Sequence, residues 1–455
     1  MTRYTQVFLA TAFTSRSKQD IEILQDCLFC INEQGMIARI VRPEDLDYTA
    51  VLAEYEQTDH FQRIEKGSYL LPGFVDLHIH ASQWAQAGTA LDLPLNEWLN
   101  KYTFPLEERF SDLAYAQLVY EDVVQTLLAN GTTTALYFAT IHKEASILLA
   151  NICAEKGQRG LVGKVVMDHP DETSPHYRDM NVQTALEDTE EFILAVKELS
   201  KTTKQGVYPV VTPRFIPSCT DESLHGLGEL AQKYDTHIQS HCSESDWAHK
   251  HVQKRFGKND TQALNDFGLL QDKTVLAHCN FLSDEDAALF AETGSAIAHC
   301  PISNAYFANS VLPAARFASM GVDIGLGSDI AGGFSPSLYD NARQAVMSSR
   351  MLEDGVDPSL PADERGVSDS RIALNEAFYY LTAGGGESLS LPIGRLEEGY
   401  AWDVQRINTL VPTARLPLFD NEIELTDLFQ KMLYLVRPEN IQDVWVQGEL
   451  VHSRR

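Results

Sequence analysis

The chain predicts an α/β fold, a (β/α)8 TIM-type barrel carrying a small β-sandwich domain built from both chain ends. Three observations point there. From residue 71 to about 385, short β-rich runs alternate with longer segments whose apolar residues recur at three- and four-residue steps. The β-rich runs number eight, which suits one barrel. Polar residues fit for metal or acid–base chemistry stand at or just past the ends of separate runs. A doubly wound sheet would spread those ends along an edge, whereas a barrel gathers them into one mouth.

Taken in order, residues 1–70 read as the N-terminal part of the small β domain. The stretch IEILQDCLFCINEQGMI alternates like strands and turns at NEQG. Cys27 and Cys30 form a CxxC within it, but no second pair follows at zinc-site spacing, so they read as packing residues. Leu71-Pro72-Gly73 punctuates entry to the barrel, residues 71–388. Its strands are predicted at 74–80, 132–138, 161–167, 207–214, 236–241, 273–278, 295–300 and 322–329. Segments such as SDLAYAQLVYEDVVQTLLANG are the intervening helices, this one stopping on Asn130-Gly131. Residues 389–455 turn β-rich again and close with a hairpin, VWVQGELV. Chain ends often lie close together, so the two flanks are predicted to form one small domain.

Bulk properties narrow the function. A length of 455 residues exceeds one ordinary core, and 44% hydrophobic with 22% charged residues is a globular composition. The net charge of −28 argues against nucleic acid, whose phosphates are bound by Lys and Arg. No run is long enough to span a bilayer, and the N-terminus lacks a signal-peptide layout, so no membrane partner is expected. Seven cysteines, an odd number, fit a reducing compartment, with a cytoplasmic location as the expectation.

The chemistry concentrates in FVDLHIHASQW. His78 and His80 alternate on a strand and should share a face, with Leu77 and Ile79 packing the other way. His241 and Asp329 close later strands and complete three imidazoles and a carboxylate from three strand ends. Zn2+ takes such donors, and a further place for water marks a catalytic site. Arg214, His278 and His299 share the strand-end placement. His278 either ligates a second metal or hydrogen-bonds the metal-bound water; without an obvious bridging lysine, one metal is the reading. Glu244, three residues past His241, can return over the site and shuttle a proton. Cys242, Cys279 and Cys300 each follow a strand-end histidine and are read as pointing away from the barrel centre.

With these residues placed, PGFVDLHIHASQ, VTPRFIPSC, HIQSHCSE, TVLAHC, AHCPISN and IGLGSDIAGG resemble motifs of the amidohydrolase superfamily, in family order and over nearly the whole chain. The HASQ and TPRF segments resemble its branch that deaminates guanine. Phe74, Ser245-Asp246-Trp247 and Trp402 depart locally from that pattern. The resemblance implies one Zn2+ per chain on His78, His80, His241 and Asp329. It implies that Asp329, helped by His278, takes a proton from zinc-bound water, and that Glu244 protonates the purine ring. It sets guanine against His80, Ala81, Ser82, Gln83, Arg214, Phe215, His241 and Asp329. The implied reaction is hydrolytic deamination of guanine to xanthine and ammonia, by a homodimer. Zinc lowers the pKa of bound water to about 7, so hydroxide is available at neutral pH. The H-x-E…P-C-x-x-C signature of cytidine-type deaminases is missing. Two other readings remain: a deaminase of a pterin, triazine or oxidised purine, and a barrel relative that binds without catalysis.

Overall fold

Eight parallel strands neighbour one another in chain order, with helices packed outside them. The computed structural model describes residues 4–308, 310–419 and 423–454, so the outermost residues of both predicted flanks lie outside the described residues. Along the chain, β1 (Gln6–Ser15), β2 (Ile21–Ile31), β3 (Ile37–Val41), β4 (Phe61–Arg63) and β5 (Ser68–Pro72) come first. The barrel strands are β6 (Phe74–His80), β7 (Thr132–Phe138), β8 (Arg159–Val166), β9 (Val207–Pro213), β10 (His237–Cys242), β11 (Thr274–His278), β12 (Ala296–His299) and β13 (Asp323–Leu326). Last are β14 (Val404–Asn408), β15 (Ile441–Val446) and β16 (Glu449–Ser453).

Local chemistry explains where the helices start. Asp112, Asn181, Thr220, Ser245 and Ser283 each accept a hydrogen bond from a backbone N–H of the helix they precede. Such a cap satisfies an otherwise free donor and is worth about 1 kcal/mol. The helix expected to stop at Asn130-Gly131 spans Leu113–Ala129. Inside the barrel pack Val75, Leu77, Leu136, Leu161, Val210, Val275, Ala277 and Ala298. Ile79, Val162, Val211, Ile238, Leu276 and Ile297 face the helices. No described helix is long and apolar enough to cross a membrane.

The barrel closes through residues of the site. Asp329 N–H donates to the His78 carbonyl (2.8 Å) and His80 N–H to the Ile330 carbonyl (2.7 Å). That approach needs Gly327, where a Cβ would fall 2.7 Å from the His78 Cβ. The last strand is shorter than expected because these seam contacts replace the ladder after Leu326. Asp329 therefore sits on the turn beyond β13.

Both chain ends build one mixed sheet in the order β16-β15-β14-β5-β1-β2-β3, with β4 beside β1. Phe8 stacks on Trp402 at 4.8 Å and meets Trp445 edge-on at 5.5 Å at its centre. Leu71 and Pro72 pair with β14 and so belong to this sheet. The hairpin of β15 and β16 turns at Gln447-Gly448, both with positive φ (49° and 80°), as tight hairpin turns require. Cys27 and Cys30 are buried free thiols, pushed up to about 11 and about 12 by burial. Arg159 on β8 ties barrel to sheet: it is ion-paired to Asp403 and donates to Gln447 Oε1 at 2.6 Å.

Candidate active site

The strand that carries both leading histidines is irregular. Its pairing with β7 shifts register between Asp76 and Ile79. Leu77 packs inside the barrel and Ile79 outside it, so they do not share a side as strict alternation predicted. A bulge resets the alternation and lets both His78 and His80 face the mouth. Elsewhere backbone strain does the same work. Ser243 (φ 45°), His278 (73°), Cys279 (56°) and Asp329 (50°) are four of the ten described non-glycine residues with positive φ. Such conformations cluster at functional sites, where the surroundings hold them.

His78, His80 and Asp329 bring their donor atoms within 4.8 Å of one another, as do His78, His241 and His278. Asp329 Oδ1 lies 3.2 Å from His78 Nε2 and 3.6 Å from His80 Nε2. Burial lowers the pKa of His78, His80 and His241 well below the usual imidazole value, and neighbouring imidazoles add to it. The rings are therefore neutral and present lone pairs. His241 Nδ1 donates to the Arg214 carbonyl at 2.5 Å, leaving the Nε2 lone pair directed 3.0 Å from His80 Nε2. A second imidazole nitrogen this close to the His241 lone pair, and a buried His78 Nε2 without a hydrogen-bond partner, are what a cation would satisfy. These residues fit a divalent metal.

Next to this group stand two proton carriers. His278 Nε2 is 3.7 Å from Glu244 Oε1 and 3.9 Å from Asp329 Oδ2. Burial, with the negative charge of Asp329 adding to it, pushes the Glu244 carboxyl up to about 8. An amide relay sets the His278 tautomer. Asn280 Nδ2 donates to the Glu244 carbonyl (3.0 Å) and to Asn304 Oδ1 (3.2 Å), while Asn304 Nδ2 donates to Asn280 Oδ1 (2.9 Å). The Glu244 carbonyl only accepts, so the order of donors along the relay follows from it. Asn304 Oδ1 then accepts from His278 Nδ1 at 3.0 Å, which leaves His278 Nε2 with a lone pair towards the site.

The cleft beside the metal group is lined by Gln83, Leu95, Trp98, Leu99, Arg214, Phe215 and Glu244, together with His80, His241 and Asp329. Arg214 and Gln83 converge on one buried acid, Glu107. Arg214 Nη1 and Nη2 donate to its two carboxylate oxygens at 2.6 and 3.2 Å, and Gln83 Nε2 donates to Oε1 at 2.9 Å. The Phe104 ring lies 5.0 Å from the guanidinium carbon. Phe215 stands on the cleft wall, 5.9 Å from Trp247 at the exposed rim. Ala81 is buried in the outer core, and Ser82 Oγ donates to the Ala139 carbonyl, so any contact they make with a ligand is through the backbone.

Several expectations change. His299, expected at the mouth with the other strand-end residues, is turned outward instead, because Ala296 and Ala298 of β12 face the interior. Cys242 and Cys279 pack in the outer layer as expected, but Cys300 packs inside the barrel beside Val75 and Leu77. Glu107, Asn280 and Asn304 were not foreseen. A buried arginine demands an acid, which was a signal for Glu107, although nothing in KYTFPLEERF singles out that acid.

Comparison with known proteins agrees with the geometry. Residues 69–451 match the model of the amidohydrolase family. Guanine deaminase of Dictyostelium discoideum is 37% identical, covering 98% of both chains. Guanine deaminase of Homo sapiens is 38% identical over 98% of this chain and 96% of that protein. The crystal structure of guanine deaminase from C. acetobutylicum, with guanine bound in its active site, superposes with a TM-score of 0.87 at 31% identity. That match covers 98% of this chain and 100% of the other.

Proposed function

The chain belongs to the amidohydrolase family, and we propose that it hydrolyses guanine to xanthine and ammonia at a single Zn2+ held by His78, His80, His241 and Asp329. One observation carries the reading. A cluster of neutral imidazoles and a carboxylate, with unpartnered nitrogens, opens onto a cleft whose polar groups suit a flat heterocycle. When bound, the metal supplies Lewis acidity and makes water nucleophilic at neutral pH.

The remaining work falls to side chains. Arg214 has only donors to offer and serves an acceptor edge of the base, while Phe215 packs against its flat ring. Water adds at C2, and Asp329 Oδ2, with His278 Nε2 beside it, takes the proton that water loses. Glu244 holds a proton at its carboxyl and delivers it to the ring nitrogen next to C2; the departing amino group takes the proton held by Asp329, and the C2 hydroxyl returns its proton to Glu244 as the carbonyl forms. That arrangement conserves atoms: guanine plus water gives xanthine plus ammonia. Leu95, Trp98 and Leu99 from the segment after β6 line the cleft and give it apolar surface.

The reading extends to a homodimer, by resemblance, and to a cytoplasmic location, which seven buried free thiols suit. Sedimentation of the purified protein reads the first. The decisive test is ammonia release across guanine, adenine, cytosine, a pterin and a triazine. Guanine should be the substrate, with adenine and cytosine inert. A pterin or triazine turned over far faster than guanine would overturn the substrate assignment and leave a metal aminohydrolase.

A further inference from the structure

Resting on the reading that guanine is the substrate, we infer that Glu107 sets the hydrogen-bonding polarity of the cleft and so acts as the positioning residue for substrate choice. The argument begins from what a carboxylate can do. Paired with a guanidinium, it only accepts hydrogen bonds. Gln83 touches Glu107 Oε1 at 2.9 Å, so it is the amide nitrogen of Gln83 that faces the acid. Its carbonyl oxygen is thereby turned away from Glu107. Among the described residues the one side-chain hydrogen bond of Gln83 is that of its Nε2 to Glu107, so the oxygen is left without one, and Gln83 lines the cleft. The same carboxylate holds Arg214 through two donors, and Nη1 also reaches Met167 Sδ at 3.9 Å, which leaves Nε–H and the second Nη2–H for a ligand.

One acid therefore fixes two neighbouring polarities: an acceptor at Gln83 and a donor at Arg214. With C2 of guanine at the metal group and one flanking ring nitrogen near Glu244, the opposite edge carries N1–H and O6. N1–H is a donor and meets the Gln83 oxygen. O6 is an acceptor and meets Arg214. A purine whose N1 lacks hydrogen and whose C6 lacks oxygen presents the wrong polarity to the first and nothing to the second. Glu107 touches no substrate atom in this arrangement; it acts through its two neighbours. Nothing else among the residues bonded to Gln83 would stop its amide from turning over, since Glu107 supplies the only side-chain hydrogen bond that Gln83 makes among the described residues.

The test uses two substrates that share the 2-amino group and differ only on that edge, guanine and 2-aminopurine. The metal-loaded wild-type protein should favour guanine by about 10³-fold or more in kcat/KM, because an analogue that leaves buried polar groups unpaired is rejected. Glu107→Gln keeps the shape of the acid but can donate as well as accept, so the Gln83 amide is free to reverse. The variant should keep its metal, lose about 10²-fold on guanine chiefly through KM, and lose less than about 10-fold on 2-aminopurine. The preference ratio then falls at least about 10-fold. Equal losses on both substrates would overturn the proposal, because a merely structural role for Glu107 cannot distinguish them. Should Glu107→Gln not fold, Gln83→Leu leaves the Glu107–Arg214 pair intact. It should collapse the preference for guanine over 1-methylguanine, and a preference kept at its wild-type value would refute the inference. Wild-type protein that releases no ammonia from guanine, while acting on another heterocycle, would overturn the substrate reading and this inference with it.

Discussion

Replacing Arg214 by methionine tests whether the cleft is built around a closed charge pair. The side chains of Arg214 and Glu107 are 3% and 0% exposed, and two N–H···O bonds join them. Arg214→Met removes the cation and leaves the carboxylate buried, with the Gln83 amide and the Tyr177 hydroxyl as its remaining donors. Breaking a buried pair in this way costs about 3–5 kcal/mol of folding stability. Adding Glu107→Leu removes the stranded charge, and methionine with leucine can pack against the Phe104 ring. The double variant should therefore regain most of the loss, since apolar replacement of a buried pair is neutral or stabilising. Guanine turnover should not return: kcat/KM stays down by about 2–4 kcal/mol, because the donor to the base is gone. Urea denaturation of the three proteins, compared by midpoint at unchanged slope, reads the stability part. A single variant as stable as wild type, or a double variant no better than the single, would refute the closed pair.

Glu244→Gln keeps size and hydrogen bonding but cannot release a proton; metal content should hold while kcat falls about 10²–10⁴-fold. A variant within a few-fold of wild type assigns the proton transfer elsewhere. His241→Ala should lose bound metal and activity together, as metal analysis of the purified variant will show; retained metal would remove His241 from the ligand set. Stability should fall on acidification. His237, whose Nε2 lies 2.9 Å from the Leu389 carbonyl, is held below the usual imidazole value by burial, and burial takes His299 down to about 3. His299 stays neutral in the folded chain down to about pH 3, while the unfolded chain protonates it near pH 6.5. It therefore contributes stability that is present above pH 6.5 and is lost by about 1.4 kcal/mol per pH unit between pH 6.5 and about pH 3. His237 acts in the same direction. Because the raised carboxyl of Glu244 works in the opposite direction, the comparison is with His299→Asn: a wild-type urea midpoint that falls no more steeply between pH 7 and pH 5 than that of the variant would contradict the sign.

The barrel was legible because its signals are local and repeated. Eight β-rich runs, helix-starting residues such as Ser245 and Ser283, and polar residues at run ends each follow from the pleat, the cap or the strand direction. His78, His80, His241 and Asp329 come together as that pattern implies. Where the reading failed, side-chain direction depended on something the pattern does not encode. The bulge between Asp76 and Ile79 changes which way Leu77 points, and regular alternation sends His299 outward while positive φ brings His278 in. Glu107 was invisible for a different reason. It is one of 64 acidic residues, 107 positions before its arginine, and only the folded segment after β6 brings the two together. Asn280 and Asn304 were hidden likewise, since their value lies in one shared hydrogen bond that fixes a histidine tautomer.

The central claim is that one metal ion per chain makes this cleft a guanine aminohydrolase. Protein stripped with a chelator and titrated with Zn2+ tests it most directly, with xanthine formation from guanine followed at each addition. Stripped protein should form no xanthine, and the rate should rise in proportion to added Zn2+ and level off at one ion per chain. Xanthine formed at the full rate by stripped protein, or a plateau reached only at two ions, would contradict the account.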